Sequence, residues 1–277
     1  MTTMYAAPTS LSPSRVEAFT SCPLAFRFSS IEKLPEPATV HTAKGTLVHR
    51  VLELLYQHPA VERTPDRAAE LFPQAWDELV TSSEYLILNP SPAEAEALSA
   101  AGSSLVERYF TIEDPTTIEP VGTELRLEAA LGELQLRGII DRLDRAGDGS
   151  LVVTDYKTGR APPPAYEQRR LGGVHFYAWL VENALGERPS AIRLVYLASR
   201  EVITAAPSEQ SIRFLPKRTE AIYQAIQTAC ASGHFKPNPG ALCGSCAFQR
   251  WCPSFGGDPT KAAFEAPLVY AVPAVPA

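Results

Sequence analysis

The segment from Leu134 to Lys157 restricts this chain more than any other. Two runs of strand composition, Leu134 to Arg145 and Leu151 to Lys157, flank Ala146-Gly147-Asp148-Gly149-Ser150, a turn-forming string that makes them a β-hairpin. Asp141 and Asp155 each stand seven residues from Asp148. A hairpin folded symmetrically about that residue therefore sets them directly opposite, with Cβ atoms about 4.5–5.5 Å apart. Facing carboxylates destabilise a sheet unless one is protonated or a cation lies between them, and a hard divalent ion prefers such oxygen ligands. Mg²⁺ or Mn²⁺ is the expected occupant. Lys157, two residues past Asp155, shares its face of the strand, within reach of an activated water or a phosphate. A Lewis acid, an activated water and a nearby cation are what phosphodiester hydrolysis requires. An Asp-x-Lys triplet alone is common on ordinary surface hairpins; the mirrored Asp141 favours the chemical reading.

The rest of the chain frames that hairpin. Ser12-Pro13-Ser14 marks a helix start, and Val16, Phe19 and Phe26 keep near-helical spacing through Phe28, with Cys22 on or just after that helix. Leu47, Val51, Leu54 and Leu55 form one stripe of period 3.6 and predict a helix over 42–57 that carries His49. Residues 65–112 are rich in Ala, Glu and Leu with interruptions at Pro73 and Pro90, a helical insertion expected over about 60–118. A strand is predicted over Glu119–Ala130. After Pro162-Pro163-Pro164 follow a helix over Tyr166–Leu185, a strand over Ala191–Ala198 and a long helix over Ser208–Ala231. Residues 1–11 and 257–277 lack periodicity and are expected as a flexible start and a tail, leaving one domain over 12–256.

The 277 residues are 45% hydrophobic, enough for a buried core. Twenty-five basic against thirty-one acidic residues give a net charge of −6, so the bulk charge offers a polyanion no attraction. From Arg137 to Arg170, however, seven basic residues stand against five acidic ones, and a cation would cover two of those acids. No window approaches the roughly 18 apolar residues of a membrane helix, and the N-terminal residues lack the regions of a signal peptide. The expected location is the cytoplasm, with no membrane partner.

In that setting the five cysteines are not expected to form a disulfide framework. Cys243, Cys246 and Cys252 form a C-x2-C-x5-C run. A four-thiolate site needs one more ligand, and Cys22 in Ser21-Cys22-Pro23 is the plausible one, whereas Cys230 reads as a packed helix residue. Zinc usually takes paired C-x2-C knuckles. The one-plus-three split departs from that pattern, and zinc and an iron–sulfur cluster both stand at this point.

The string from Gly138 to Arg145, a short turn, then Val152-Val153-Thr154-Asp155-Tyr156-Lys157-Thr158-Gly159 resembles the core of the PD-(D/E)XK nucleases, particularly the RecB-like branch. The resemblance runs from Ser12 to about Phe255 and is weakest across the helical insertion. It implies an α/β class: a restriction-endonuclease-like mixed sheet core flanked by helices, with the insertion and an iron–sulfur staple joining the N- and C-terminal regions. It implies Asp141 and Asp155 as metal ligands, the carbonyl of Tyr156 as another, and Lys157 as the catalytic lysine. His49, in Gly45-Thr46-Leu47-Val48-His49, matches the branch's early-helix histidine and becomes a further ligand; Glu124 is a weaker candidate. The one-plus-three cysteines resemble the ligands of the branch's structural 4Fe-4S cluster. The branch carries a Gln four residues before a Tyr on the helix after the lysine strand; here Tyr177 is present and Gly173 replaces the Gln. Tyr177, Arg142, Arg160, Arg169 and Arg170 are the candidate DNA contacts.

The implied activity is a Mg²⁺- or Mn²⁺-dependent DNA exonuclease on single-stranded DNA or DNA ends, in repair or recombination, with a helicase partner. Two alternatives stand beside it. One is a DNA-binding module that keeps fold and cluster but cleaves weakly, suggested by Gly173. The other is a zinc-stapled protein whose hairpin is merely structural.

Overall fold

A computed structural model describes residues 5–161 and 163–270, with the backbone alone at 164–172. The chain opens with β1 (Ser10–Leu11) and α1 (Pro13–Ser21), whose N-cap Ser12 accepts a hydrogen bond from the Arg15 amide. Cys22 is extended and Pro23 begins α2 (Pro23–Phe26), which continues as a π-turn over Arg27–Ile31. The single helix expected to Phe28 therefore breaks at Cys22, because a residue preceding proline avoids the helical region.

A capping box between Thr39 and Thr42 starts α3 (Val40–Tyr56), and its predicted stripe, Leu47, Val51, Leu54 and Leu55, is buried. The insertion forms α4 (Pro65–Val80), α5 (Ser83–Leu88) and α6 (Pro92–Tyr109), capped by Thr64, Ser82 and Ser91. Leu79, Leu98 and Leu105 of these helices share one apolar cluster with α3, so the insertion is core rather than appendage.

β2 (Glu119–Leu131) pairs with β3 (Leu134–Arg145), and β3 pairs antiparallel with β4 (Leu151–Lys157). The ladder joins Arg142 to Thr154, Asp144 to Val152 and Arg145 to Leu151, a register centred on Asp148 as the sequence predicts. The turn closes through Asp148 Oδ1, which accepts from the Ser150 amide at 3.0 Å, and through Gly149 at φ +87°. Then α7 (Pro164–Leu185) crosses to β5 (Ala191–Tyr196), parallel to β4. An unanticipated strand, β6 (Glu201–Ala205), lies antiparallel to β5 after a turn with Arg200 at φ +57°. The helix α8 (Glu209–Ser232) follows.

Both ends depart from expectation. Residues 262–269 of the expected tail form α9 (Ala262–Val269), with Ala262 and Ala266 fully buried, Glu265 accepting from the Trp251 indole at 2.7 Å and Tyr270 donating to the Ala247 carbonyl. The helix lacks apolar periodicity, so its two small buried contacts carry no pattern to read. At the start, Ser10 and Leu11 are buried and pair in parallel with Gln135 and Leu136. Residues 1–4 and 271–277 of those expectations lie outside the described ones.

The chain divides into two compact units: residues 1–37, 129–137 and 213–277 form the first, and 38–128 with 138–212 the second. The second holds a mixed sheet, antiparallel from β3 to β4, parallel to β5 and antiparallel to β6, with α3–α7 around it. Among the described residues no helix is long and apolar enough to cross a membrane.

Candidate metal centre

Alternate residues of β3 and β4 face opposite sides of the sheet. Asp141 lies one step beyond the last ladder pair, Arg142 with Thr154, across from Asp155. Its Oδ2 accepts a hydrogen bond from the Tyr156 amide at 2.6 Å, and its Oδ1 is 3.6 Å from His49 Nδ1. The other ring nitrogen, Nε2, is 3.1 Å from the Tyr156 carbonyl oxygen. Lys157 Nζ lies 2.5 Å from Asp155 Oδ2, and the Lys157 side chain remains 39% exposed. The structure thus brings His49, Asp141, Tyr156, Asp155 and Lys157 into one locality of the second unit.

Glu124 joins them more intimately than its weak standing in the sequence suggests. His49, Glu124 and Asp141 each offer a ligand atom within 4.8 Å of the others, the group among the described residues that meets this spacing. Glu124 sits at φ +46°, a left-handed conformation that is strained for a residue with a Cβ. Strict strand alternation does not foresee where such a residue aims its side chain, which is why the sequence alone ranks it low.

The electrostatics describe a site crowded with negative charge. Burial raises the Asp155 carboxyl above its usual range and the Asp141 charge adds to this, against the opposing pull of Lys157. Burial, then Asp141, raises Glu124 as well. For His49, burial disfavours the charged ring, yet the hydrogen bond and field of Asp141, with Asp155 and Glu124, prevail and its pKa rises. Lys157 follows the same balance: burial opposes its charge, Asp155 and Asp141 favour it, and the net shift is upward. Carboxylate oxygens, one imidazole and one backbone carbonyl form a donor set suited to Mg²⁺ or Mn²⁺, and the repulsion among the acids is what a cation relieves.

Tyr177 on α7 borders the site; burial and the charges of Asp155, Asp141 and Glu124 raise its hydroxyl pKa. Its ring lies against Gly138 of β3, where an added Cβ would come within 3.0 Å of Tyr177 Cε1 and 3.1 Å of Leu180 Cδ2. Gly138→Ala is therefore expected to destabilise the protein by about 1–3 kcal/mol, read from the denaturant midpoint; an unchanged midpoint would show that α7 yields freely. At Gly173 an added Cβ meets nothing within 4 Å, so space does not explain the missing Gln.

Among the expected DNA contacts, Arg142 is corrected. It is fully buried, and its guanidinium is engaged with Glu113, Asp144 and tyrosine hydroxyls, leaving nothing for a phosphate. Arg160 is exposed, while the side chains of Arg169 and Arg170 lie outside the described ones.

In the first unit, Cys22, Cys243, Cys246 and Cys252 line one pocket with Phe28, Phe248 and Phe255. None of the four is in a disulfide, and the Gly240 amide points at Cys243 Sγ at 3.2 Å. Burial raises the Cys246 thiol; a backbone hydrogen bond at Phe248 opposes this, and the Cys22, Cys243 and Cys252 sulfurs are near enough to add to it. The loop after Cys252 needs glycine at 257, where a Cβ would meet the Arg250 carbonyl oxygen at 2.2 Å. Cys230 is buried in α8.

The family model of the PD-(D/E)XK nuclease superfamily matches residues 10–253, and the chain belongs to that superfamily. Its mixed sheet flanked by helices is a restriction-endonuclease-like fold. The chain is 26% identical over 268 residues to the Gene 69 protein of Mycobacterium phage D29, covering 88% of this chain and 96% of that one. It is 28% identical over 160 residues to an ATP-dependent helicase/deoxyribonuclease subunit of Streptococcus mutans serotype c, covering 55% of this chain but 14% of that protein. The corresponding helicase/deoxyribonuclease subunit of Streptococcus agalactiae serotype Ia is 29% identical over 157 residues, with coverage of 54% and 14%.

Proposed function

We propose that this protein is a Mg²⁺- or Mn²⁺-dependent deoxyribonuclease of the RecB-like branch, an exonuclease on single-stranded DNA or DNA ends that serves repair or recombination beside a helicase in the cytoplasm. The observation that carries the reading is the convergence of His49, Glu124 and Asp141 within 4.8 Å, with the Asp155–Lys157 pair alongside. The deoxyribonuclease and helicase named for the streptococcal relatives support DNA as the substrate and a helicase as the neighbour.

In this reading His49, Asp141, Asp155 and the Tyr156 carbonyl hold the ion, with Glu124 beside them. When bound, the ion supplies polarisation of a phosphoryl oxygen and activation of a water. The chain's own groups do the rest. Lys157, held charged by Asp155 and Asp141, places an ammonium where charge develops on the phosphoryl oxygens. Asp141, fixed by the Tyr156 amide, orients His49 through Nδ1. Tyr177, beside these acids, and the exposed Arg160 are the candidate contacts for the strand.

The raised pKa of His49 makes metal binding depend on pH. A ligating imidazole must be neutral, and His49 keeps its proton to higher pH than an ordinary histidine, so proton and metal compete above the usual histidine range. Mn²⁺ is expected to bind more tightly at pH 8 than at about pH 6.5, with proton release visible as a buffer-dependent enthalpy in calorimetry. Affinity independent of pH would remove His49 from the ligand set.

For the four cysteines the reading is a structural 4Fe-4S cluster. A mononuclear zinc site draws its sulfurs around one centre at about 2.3 Å, whereas a cluster bonds each thiolate to a different iron and holds them apart. The one-plus-three spacing of Cys22, Cys243, Cys246 and Cys252 around one pocket, rather than two C-x2-C knuckles, is what supports the cluster over zinc.

The activity is tested with end-labelled single- and double-stranded DNA in Mg²⁺ or Mn²⁺, beside a closed circular substrate. Shortening from the ends with the circle intact is expected; cleavage of the circle would overturn the exonuclease assignment, and no cleavage of any substrate the nuclease one.

A further inference from the structure

Arg142 stands next to Asp141, yet its side chain passes to the opposite face of β3 and ends in a closed polar cluster beneath the sheet. Its Nε donates to Asp144 Oδ1 at 2.7 Å, and its terminal nitrogens reach Glu113 Oε2 at 3.2 Å, the Tyr56 hydroxyl at 2.6 Å, the Tyr109 hydroxyl at 3.2 Å and the Tyr156 hydroxyl. Arg193 binds Glu113 from the other side at 2.5 Å, so two guanidinium groups meet two carboxylates. The guanidinium also lies 4.6 Å from the centre of the Tyr56 ring and 5.5 Å from that of Tyr156. A buried charge so fully paired holds its neighbours in one geometry, because any shift leaves a donor unsatisfied.

The neighbours are the elements that carry the metal site. Tyr156 lies between Asp155 and Lys157; its amide holds Asp141 Oδ2 and its carbonyl meets His49 Nε2. Tyr56 stands seven residues after His49 on α3, on the same helix face two turns along. One guanidinium therefore fixes the ring of Tyr156, whose peptide groups orient Asp141 and His49, and the helix that carries His49.

We propose that Arg142 is a positioning residue: through the Tyr156 hydroxyl it sets the peptide groups that aim Asp141 and His49. This rests on the metal-binding reading above. The role lies behind the site, as outer partners of metal ligands do, and such partners commonly change metal affinity about 10–100-fold.

The test is Mn²⁺ binding to the metal-free protein, followed by electron paramagnetic resonance, in wild type, Tyr156→Phe, Arg142→Lys and Leu98→Ala. Tyr156→Phe deletes one hydroxyl on the face away from the site and keeps the ring. It is expected to weaken Mn²⁺ binding roughly tenfold while melting cooperatively. Arg142→Lys, which keeps the charge but loses the fork of donors, is expected to match it and serves if the phenylalanine variant folds poorly. Leu98→Ala opens the same apolar core away from the site; it lowers the melting temperature and leaves Mn²⁺ affinity unchanged. Wild-type affinity in folded Tyr156→Phe or Arg142→Lys would overturn the positioning role and leave the metal site standing. Equal weakening in Leu98→Ala would also overturn it, by reducing the effect to lost stability. A wild type that binds no Mn²⁺ would overturn the metal reading and this role with it.

Discussion

Asp155→Ala and Lys157→Ala are each expected to lower kcat on DNA by at least about 10²–10³-fold, the loss that follows removal of one group stabilising transition-state charge. Asp155→Ala should be the more severe, since in the proposed reading it removes a metal ligand, and it releases Lys157 from the contact that fixes its ammonium. The two variants differ from ordinary core damage in one respect. Asp155 is a carboxylate whose burial, and then the charge of Asp141, raises its pKa, so its removal relieves the metal-free protein of a crowded charge. The melting temperature of metal-free Asp155→Ala is expected to hold or rise while activity collapses, and Mn²⁺ should no longer raise it as it raises that of the wild type. Circular dichroism melts with and without Mn²⁺, beside turnover on labelled DNA, read both. Retained turnover in Asp155→Ala would remove it from the chemistry, and a large fall in metal-free stability would show it to be structural.

Cys22→Ala should have the largest effect on stability. Cys22 lies between α1 and α2, and its three companions lie beyond Gly240. If all four bind one cluster, as proposed, a loop of most of the chain is closed, and a loop closed over 100 residues or more removes on the order of 5 kcal/mol of denatured-state entropy. Cys246→Ala breaks a ligand inside the short C-x2-C segment and leaves the long closure through Cys22 available to the remaining thiolates. Both variants should lose visible absorption and iron. Cys22→Ala should lose the greater stability in denaturant titration, because it alone opens the long loop. A colourless wild type containing zinc would replace the cluster with the mononuclear site, and a coloured, stable Cys22→Ala would free Cys22 from either.

Much of the fold is legible in the sequence because its signals are local. The hairpin register follows from a symmetric turn about Asp148 and holds in the ladder; the stripe from Leu47 to Leu55 places His49 on α3 with its apolar neighbours buried. The helical insertion is legible as helices but not as core, since its packing on α3 is a matter of which faces meet. Other features depend on contacts that sequence does not order. Glu124 reaches His49 and Asp141 from a left-handed position, and strand alternation has no term for that. Arg142 reads as a surface cation in a basic stretch. It is buried because Glu113 and three tyrosines from distant elements converge on it. Helix α9 lacks periodicity and is held by Trp251 and Ala247, and β6 is a five-residue edge strand too short to announce itself against its turn. The division into two units is equally hidden, because β2, β3 and α8 each contribute residues to both.

The most direct test of the metal centre is anomalous diffraction from crystals of the wild-type protein grown with Mn²⁺. One manganese peak is expected, bonded by Asp141, Asp155, His49 and the Tyr156 carbonyl, with Lys157 close by and outside the coordination shell. No peak at this position at millimolar Mn²⁺, or a peak held by other residues, would contradict it.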